Sequence, residues 1–330
     1  MSLFNVYPLF DITPVKAQDV YVFDEKNTKY LDLYGGHAVI SIGHSHPKYV
    51  QNISEQVSKI GFYSNSIQNP LQKELASKLA ELSDCKNYEL FLCNSGAEAN
   101  ENALKLASFH TNKKKVIAFK NGFHGRTSAA VAATDNLKII APINAQQEVE
   151  ILALGDLESL EKALSKNDVC AVIIEFIQGV GGLDENTADF YEGIDKLCKK
   201  YNTCFIADEV QSGFGRTGDF FAFQKYNVTP DIISIAKGMG NGFPVSGILI
   251  HPTIKASFGL LGTTFGGNHL ACAAAITVLD VIKEEKLMEN AKEISAYFIE
   301  KSKEIPKLKK VKGRGLMLGL EFDFPIAEIR

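Results

Sequence analysis

The sequence predicts an α/β fold with a mostly parallel sheet, and three observations predict it. Short apolar runs alternate with helical patterns between residues 88 and 250. Those runs are apolar throughout rather than at every second position, as happens when helices cover both faces of a sheet. Charged residues or glycines follow several of them directly, at what would be carboxyl ends of strands, where open α/β sheets carry their functional groups.

Each element has its own signal. Near the start, VYVFDEKNTKYLDLY reads as a hairpin turning at EKNT. YELFLCN (88–94) is a strand running into a helix over about 96–110, and KVIAFK (115–120) is the next strand. A helical stretch near 156–166 leads into VCAVIIEFI (169–177), and 188–201 is again helical in period. TCFIADEV (203–210), DIISIA (231–236) and VSGILI (245–250) complete the apolar strands. From about 268 a long helical stretch, open to one interruption, runs to about 303. Pro306 and a basic linker follow, then the strand LMLGLEF. There is no internal repeat or low-complexity segment. The expected organisation is a large domain over 46–267, with a smaller one built from residues 1–45 and 268–330.

Composition narrows the function. Of the 330 residues, 45% are hydrophobic and 22% charged, ordinary for a globular chain with a large core. A net charge of −4 offers no basic field for nucleic acid or an anionic membrane surface. Six scattered cysteines with no CxxC pair read as small buried hydrophobes in a reducing compartment. MSLFNVYPLF lacks a charged n-region and a long apolar run, no stretch reaches transmembrane length, and the expected location is the cytoplasm.

The segment SIAKGMGNGFP (234–244) places Lys237 at the end of an apolar strand and beside three glycines in five residues. A strand-end lysine usually reaches solvent. Here the position and the glycines, which let backbone approach a ligand, favour a desolvated nucleophilic amine suited to Schiff-base chemistry. In FIADEVQSG, Asp208 ends another apolar strand. Its carboxylate is either a turn or cap acceptor, or the partner of a cation such as a protonated heterocyclic nitrogen. In NSGAEANENALKLASFH, Ser95 precedes Glu98 by three, a capping box. The free N–H groups of Gly96 and Ala97, with the Ser95 hydroxyl, make an anion site or an ordinary capped helix. In NGFHGRTSAA, Phe123 and His124 offer faces for stacking on a ring and Arg126 a fork for a carboxylate; a loop aromatic and a surface arginine are the plain alternative.

Two other motifs are weaker. GFGRTG (213–218) matches G-x-G-x-x-G, with Asp231 at a plausible offset, but the aromatic DFFAFQKYN that follows is no crossover helix, so a dinucleotide site is not expected. His44 and His46 in GHSHP lack further ligands at metal-binding spacing, so no metal is expected; a polar loop before a helix fits better.

Taken in order, YLDLYGGHAVISIGHSHP, NSGAEANENALKLA, FHGRT, EFIQGVGG, ADEVQSGFGRTG, IAKGMGNGFP and GTTFGGNHLAC span nearly the whole chain. As a set they resemble the subgroup-III, ornithine/acetylornithine-type aminotransferases of the fold type I pyridoxal-phosphate family. That resemblance implies a large domain with a mixed, mostly parallel seven-stranded sheet and a small α+β domain from both chain ends. It also implies a homodimer with active sites at the interface, and pyridoxal 5'-phosphate as cofactor. It implies that Lys237 binds the cofactor's aldehyde and Asp208 its ring nitrogen, that Gln211 bonds the phenolic oxygen and that Phe123 stacks on the ring. Ser95, Gly96 and Ala97 would hold the phosphate, helped by Thr264 of the other subunit. Arg126 would take the substrate's α-carboxylate, and Glu175 resembles the family's gate carboxylate. Two departures stand out. His269 replaces the usual proline after GGN, and the arginine that pairs with a Glu175-like carboxylate is missing, so either the small domain is incomplete or Arg330 belongs to a shortened version.

YGGHAVISIGHSHP and EFIQGVGGLDENTADF look most like the N-acylornithine branch. The implied reaction moves the terminal amine of acetyl- or succinylornithine to 2-oxoglutarate, giving a semialdehyde and glutamate, a step of arginine biosynthesis. Ornithine and 4-aminobutyrate remain as donors, and a catalytically impaired cofactor-binding homologue as a rival of another class.

Overall fold

Apolar runs become the strands of the main sheet, and stretches with helical spacing become helices. The computed structural model describes residues 1–326, so Arg330 lies outside the described residues. The chain opens with a small antiparallel sheet, β1 (Pro14–Gln18), β2 (Tyr21–Asp24) and β3 (Lys29–Leu31). The EKNT turn joins β2 to β3, where the Asp24 carboxylate accepts from the N–H of Lys26 at 2.9 Å and Thr28 at 2.7 Å. A single turn α1 (Gly35–Ala38) and helices α2 (Pro47–Lys59) and α3 (Pro70–Ser83) follow. Both helices start on proline, whose missing N–H costs nothing at a first helical position.

Next come β4 (Glu89–Cys93), α4 (Gly96–Thr111), β5 (Lys115–Phe119), α5 (Ser128–Ala132), β6 (Val149–Leu152), α6 (Leu157–Leu164), β7 (Val169–Ile174), α7 (Ala188–Lys200), β8 (Cys204–Asp208), β9 (Ile232–Ile235) and β10 (Ser246–Ile250). The last described elements are α8 (His269–Glu284), α9 (Leu287–Ser302), β11 (Leu308–Arg314) and β12 (Met317–Phe322).

Seven strands form one sheet in the order β4-β10-β9-β8-β7-β5-β6. Only β10 is reversed, pairing antiparallel with both β4 and β9, while the other neighbours are parallel. This is the mixed, mostly parallel sheet expected. Every residue of β7, β8 and β9 is buried, which explains why their sequences do not alternate. The register sets Asp208 beside Ser234. Glu175, Asp208 and Lys237 therefore leave the same edge of the sheet from the ends of adjacent strands β7, β8 and β9. Helix α4 begins at that edge too, two residues beyond β4.

The expected helical stretch from 268 is two helices. Lys286, in the left-handed region at φ 54°, breaks it. Cys272, Ala275, Val278 and Ile282 of α8 pack in the same apolar cluster as Leu75 and Leu79 of α3 and Val172 and Ile174 of the sheet. The basic linker is a strand instead. LKKVKGR forms β11, paired antiparallel with β12 across the turn at Gly315; Lys309 and Lys310 are exposed, while Lys312 meets Asp184 at 3.0 Å. A Cβ on Gly315 would stand 2.4 Å from the backbone of Thr217, so this hairpin rests directly on the loop after β8.

Candidate active site

Lys237 lies at the edge of the sheet, just beyond the end of β9. Lys237 enters the left-handed region at φ 46°, an unusual conformation for a side-chain-bearing residue and one found where function holds a chain in place. The loop behind it needs glycine: a Cβ on Gly240 would stand 2.1 Å from the carbonyl oxygen of Phe243. Among the described residues, the Lys237 amine has no hydrogen-bond or ion-pair partner. Burial lowers its pKa below the usual lysine range, against the pull of the Asp208 and Glu175 charges, and the Arg216 charge lowers it further.

Asp208 is 3% exposed and held from three sides. Its Oδ2 accepts from Nδ2 of Asn100 at 2.7 Å and lies 2.8 Å from Nδ1 of His124. Oδ1 accepts from the Val210 N–H at 3.1 Å. Asn100 also donates to the His124 carbonyl at 2.7 Å, so its amide can face only one way. Burial works against a charged His124, but the hydrogen bond and charge of Asp208 outweigh it and raise the imidazole's pKa. The ring of His124 is thus committed to Asp208, at 3% exposure, and both His124 and Phe123 line the cleft.

Glu175 sits at the end of β7 with Oε2 accepting from the Phe123 N–H at 2.9 Å and Oε1 from the Gly179 N–H at 3.0 Å. Burial raises its pKa to about 7. A Cβ on Gly179 would lie 1.9 Å from Oε1 of Gln211, so the glycine makes room for that amide.

The start of α4 faces the same space. Ser95 Oγ accepts from the Glu98 N–H at 3.2 Å, and the Glu98 carboxylate reaches one residue past the cap, to the Asn94 N–H at 2.9 Å. Gly125, at φ 135°, brings the FHGRT loop against this turn; a Cβ there would be 2.6 Å from Cβ of Ala97.

Gly96, Ala97, Phe123, His124, Arg126, Glu175, Asp208, Gln211 and Lys237 all line one open cleft of about 250 Å³. Ser95 and Thr264 are exposed and are not in its lining. Asn100, which lines it too, escaped the sequence reading. Its signal was a polar residue between Ala99 and Ala103 on the buried face of a helix.

The weaker motifs find other uses. The Asp231 carboxylate accepts from the Phe205 N–H at 2.8 Å, and no crossover helix follows GFGRTG. His44 pairs with Asp32 at 2.8 Å and His46 with Glu285 at 2.9 Å. Among the described residues, no helix is long and apolar enough to cross a membrane.

An aldehyde-bearing pyridine with a phosphate needs an unengaged amine, an acid for the ring nitrogen and N–H donors for the phosphate. The unpartnered Lys237 amine, the buried Asp208 carboxylate and the opening turn of α4 provide these around one cleft. The residues present therefore fit pyridoxal phosphate.

Comparison with known proteins agrees. The Aminotransferase class-III family model matches residues 5–328. The acetylornithine aminotransferase of Aquifex aeolicus is 42% identical over 331 residues, covering 97% of this chain and 86% of that protein. The ornithine aminotransferase of Toxoplasma gondii superposes with a TM-score of 0.89 at 30% identity, over 96% of this chain and 79% of that one. Taurine:2-oxoglutarate aminotransferase of Bifidobacterium kashiwanohense, solved with pyridoxal phosphate and glutamate, does so with a TM-score of 0.89 at 26% identity, over 98% and 80%. The chain belongs to the class-III aminotransferases and is a pyridoxal-phosphate-dependent transaminase.

Proposed function

We propose that this enzyme moves the terminal amine of an N2-acylornithine, acetylornithine first, to 2-oxoglutarate, within arginine biosynthesis. The observation that carries the chemistry is the unpartnered Lys237 amine in a cleft it shares with buried Asp208. Support for the donor comes from the Aquifex aeolicus relative, an acetylornithine aminotransferase 42% identical to this chain.

When bound, pyridoxal phosphate supplies an aldehyde for an amine and a ring that draws electrons from the carbon bearing that amine. Lys237 Nζ would hold the aldehyde at rest. Once freed by the donor's amine, Nζ would take the proton from the donor carbon bearing that amine, as base, and deliver it to the carbon of the former aldehyde, as acid. Asp208 would keep the ring nitrogen protonated. With Oδ2 occupied by Asn100 and His124, Oδ1 has the free lone pair for that bond. Phe123 would cover the ring, and Gln211 would bond its phenolic oxygen. Gly96 and Ala97 would offer backbone N–H groups to the phosphate, aided by the Ser95 hydroxyl and the helix dipole.

Arg126 stands exposed at the cleft and forks onto the α-carboxylate of the donor. Glu175, beside the Phe123 and Gly179 N–H groups, acts as the gate carboxylate that distinguishes donor from acceptor. Two copies form the working unit, with Thr264 reaching the partner's phosphate; its exposure outside the cleft of its own chain suits that role. A larger cofactor-binding unit over 46–267 and a smaller one from residues 1–45 and 268–330 complete the reading, in a cytoplasmic enzyme.

Ornithine is the second donor to consider, because the Toxoplasma gondii ornithine aminotransferase shares the fold at a TM-score of 0.89. The test is a donor panel of N-acetylornithine, N-succinylornithine, ornithine and 4-aminobutyrate with 2-oxoglutarate, following glutamate. The highest kcat/KM belongs to an acylated ornithine. Glutamate formed from free ornithine or 4-aminobutyrate but from neither acylated donor would overturn the assignment.

A further inference from the structure

The loop that carries Lys237 is tied at its far end to a distant part of the chain. Asn241 is 6% exposed and adopts the left-handed region at φ 47°. Its Oδ1 accepts from the Ser41 N–H at 2.8 Å and the Ile42 N–H at 3.1 Å, and its Nδ2 donates to the Gly43 carbonyl at 2.9 Å. The carboxamide thus bonds three consecutive residues of backbone as a neighbouring strand would. Two more bonds reach the loop, one from residues 41–43 and one from α2. The Ser41 hydroxyl donates to the Gly238 carbonyl at 2.7 Å and the Tyr49 hydroxyl to the Gly240 carbonyl at 2.7 Å. A short turn links the two ends of the loop, with Gly240 N–H bonded to the Lys237 carbonyl at 3.1 Å. Lys237 sits in that turn at φ 46°, a conformation that side-chain-bearing residues leave unless their surroundings fix it.

We propose that Asn241 is a positioning residue for the reaction: by binding residues 41–43 it fixes the loop that sets where the Lys237 amine stands in the cleft. The inference rests on the reading that Lys237 holds the cofactor. Its physical basis is that proton transfer by a side chain depends steeply on placement, so freedom in the loop lowers the rate of the step Lys237 performs. Binding of the donor makes no use of the clamp.

The experiment compares the holoenzyme with two variants. Asn241→Gly keeps a residue that tolerates positive φ and removes all three bonds. Asn241→Asp retains acceptors for Ser41 and Ile42 but loses the donor to Gly43. Borohydride reduction and peptide mapping of the unsubstituted enzyme locate the attached lysine. Steady-state kinetics with N-acetylornithine and a pH titration of the bound cofactor's visible absorbance follow for all three proteins. For Asn241→Gly, kcat falls about tenfold to a hundredfold, with KM for the donor within about twofold. The titration midpoint moves, because the lysine nitrogen no longer occupies one place, and Asn241→Asp falls between the other two proteins. Label on Lys237 with kcat and midpoint unchanged in Asn241→Gly overturns the inference alone. Label on another lysine of the unsubstituted enzyme overturns the Lys237 reading and the inference with it. If Asn241→Gly does not fold, the same two measurements on Asn241→Asp decide: a shifted midpoint and lowered kcat support it, and unchanged values overturn it.

Discussion

His124 Nδ1 lies 2.8 Å from Asp208 Oδ2, across 84 residues of sequence, with both side chains almost wholly buried. Asn100 meets the same oxygen at 2.7 Å. One carboxylate oxygen is therefore filled by two fixed donors, and the other is left with a lone pair beside the cleft.

The His124–Asp208 contact makes stability depend on pH. Burial disfavours charged His124 and Asp208 more than restores it, so the folded pKa lies above the unfolded value. The contribution is fully present below pH 6.5 and is lost as pH rises through the raised folded value. Thermal unfolding of the native enzyme and of His124→Asn, compared across pH, should show a gap that narrows as pH rises. At low pH the gap should be about 1.5–3 kcal/mol, the scale of a hydrogen bond to a charged group.

Lys237 should behave as an unusually reactive amine. Desolvation lowers its pKa, so at neutral pH more of it is uncharged than of a surface lysine. Added pyridoxal phosphate followed by borohydride should label its peptide first, with a pH midpoint below that of other lysines. Lys237→Ala should lose the label and roughly 10²–10⁴-fold in turnover.

Arg126 is predicted to act in binding. Arg126→Ala should raise KM for the amino donor about tenfold to a hundredfold, the loss of a bond of roughly 1.5–3 kcal/mol to a charged group. Its kcat should change little, and steady-state kinetics separate the two.

Two glycines distinguish crowding from backbone preference. A methyl at Gly125 would stand 2.6 Å from Cβ of Ala97, whereas one at Gly182 would meet nothing within 4 Å, and both glycines have positive φ. Gly182→Ala should cost about 1 kcal/mol, from its backbone alone. Gly125→Ala should cost about 1–3 kcal/mol more and loosen the cofactor, because it pushes the FHGRT loop off the start of α4. Urea unfolding and cofactor retention on dialysis measure the two effects.

Arg314 anchors the C-terminal hairpin. It donates to the Ala222 carbonyl at 3.0 Å and pairs with Asp219 and Glu185, each at 3.4 Å, with its side chain 16% exposed. Arg314→Met keeps the apolar stem and should cost about 1.5–3 kcal/mol in urea unfolding. Ala222 N–H in turn bonds buried Glu209, next to Asp208, so cofactor affinity should fall as well.

The sequence by itself determined the elements whose signals are local. Unbroken apolar runs gave β7, β8 and β9, and Ser95 with Glu98 marked the start of α4. The chemistry-bearing residues after those strands were legible because a lysine or aspartate ending a buried run is conspicuous. Only the tertiary structure decided the reversal of β10, the pairing of lysine-rich β11 and the partners of Asp208 and Asn241. Asn100 reaches Asp208 over 108 residues and Asn241 reaches Ser41 over 200. Such bonds leave no period or cap in the sequence, because they depend on where the sheet brings distant backbone together rather than on the residues beside them.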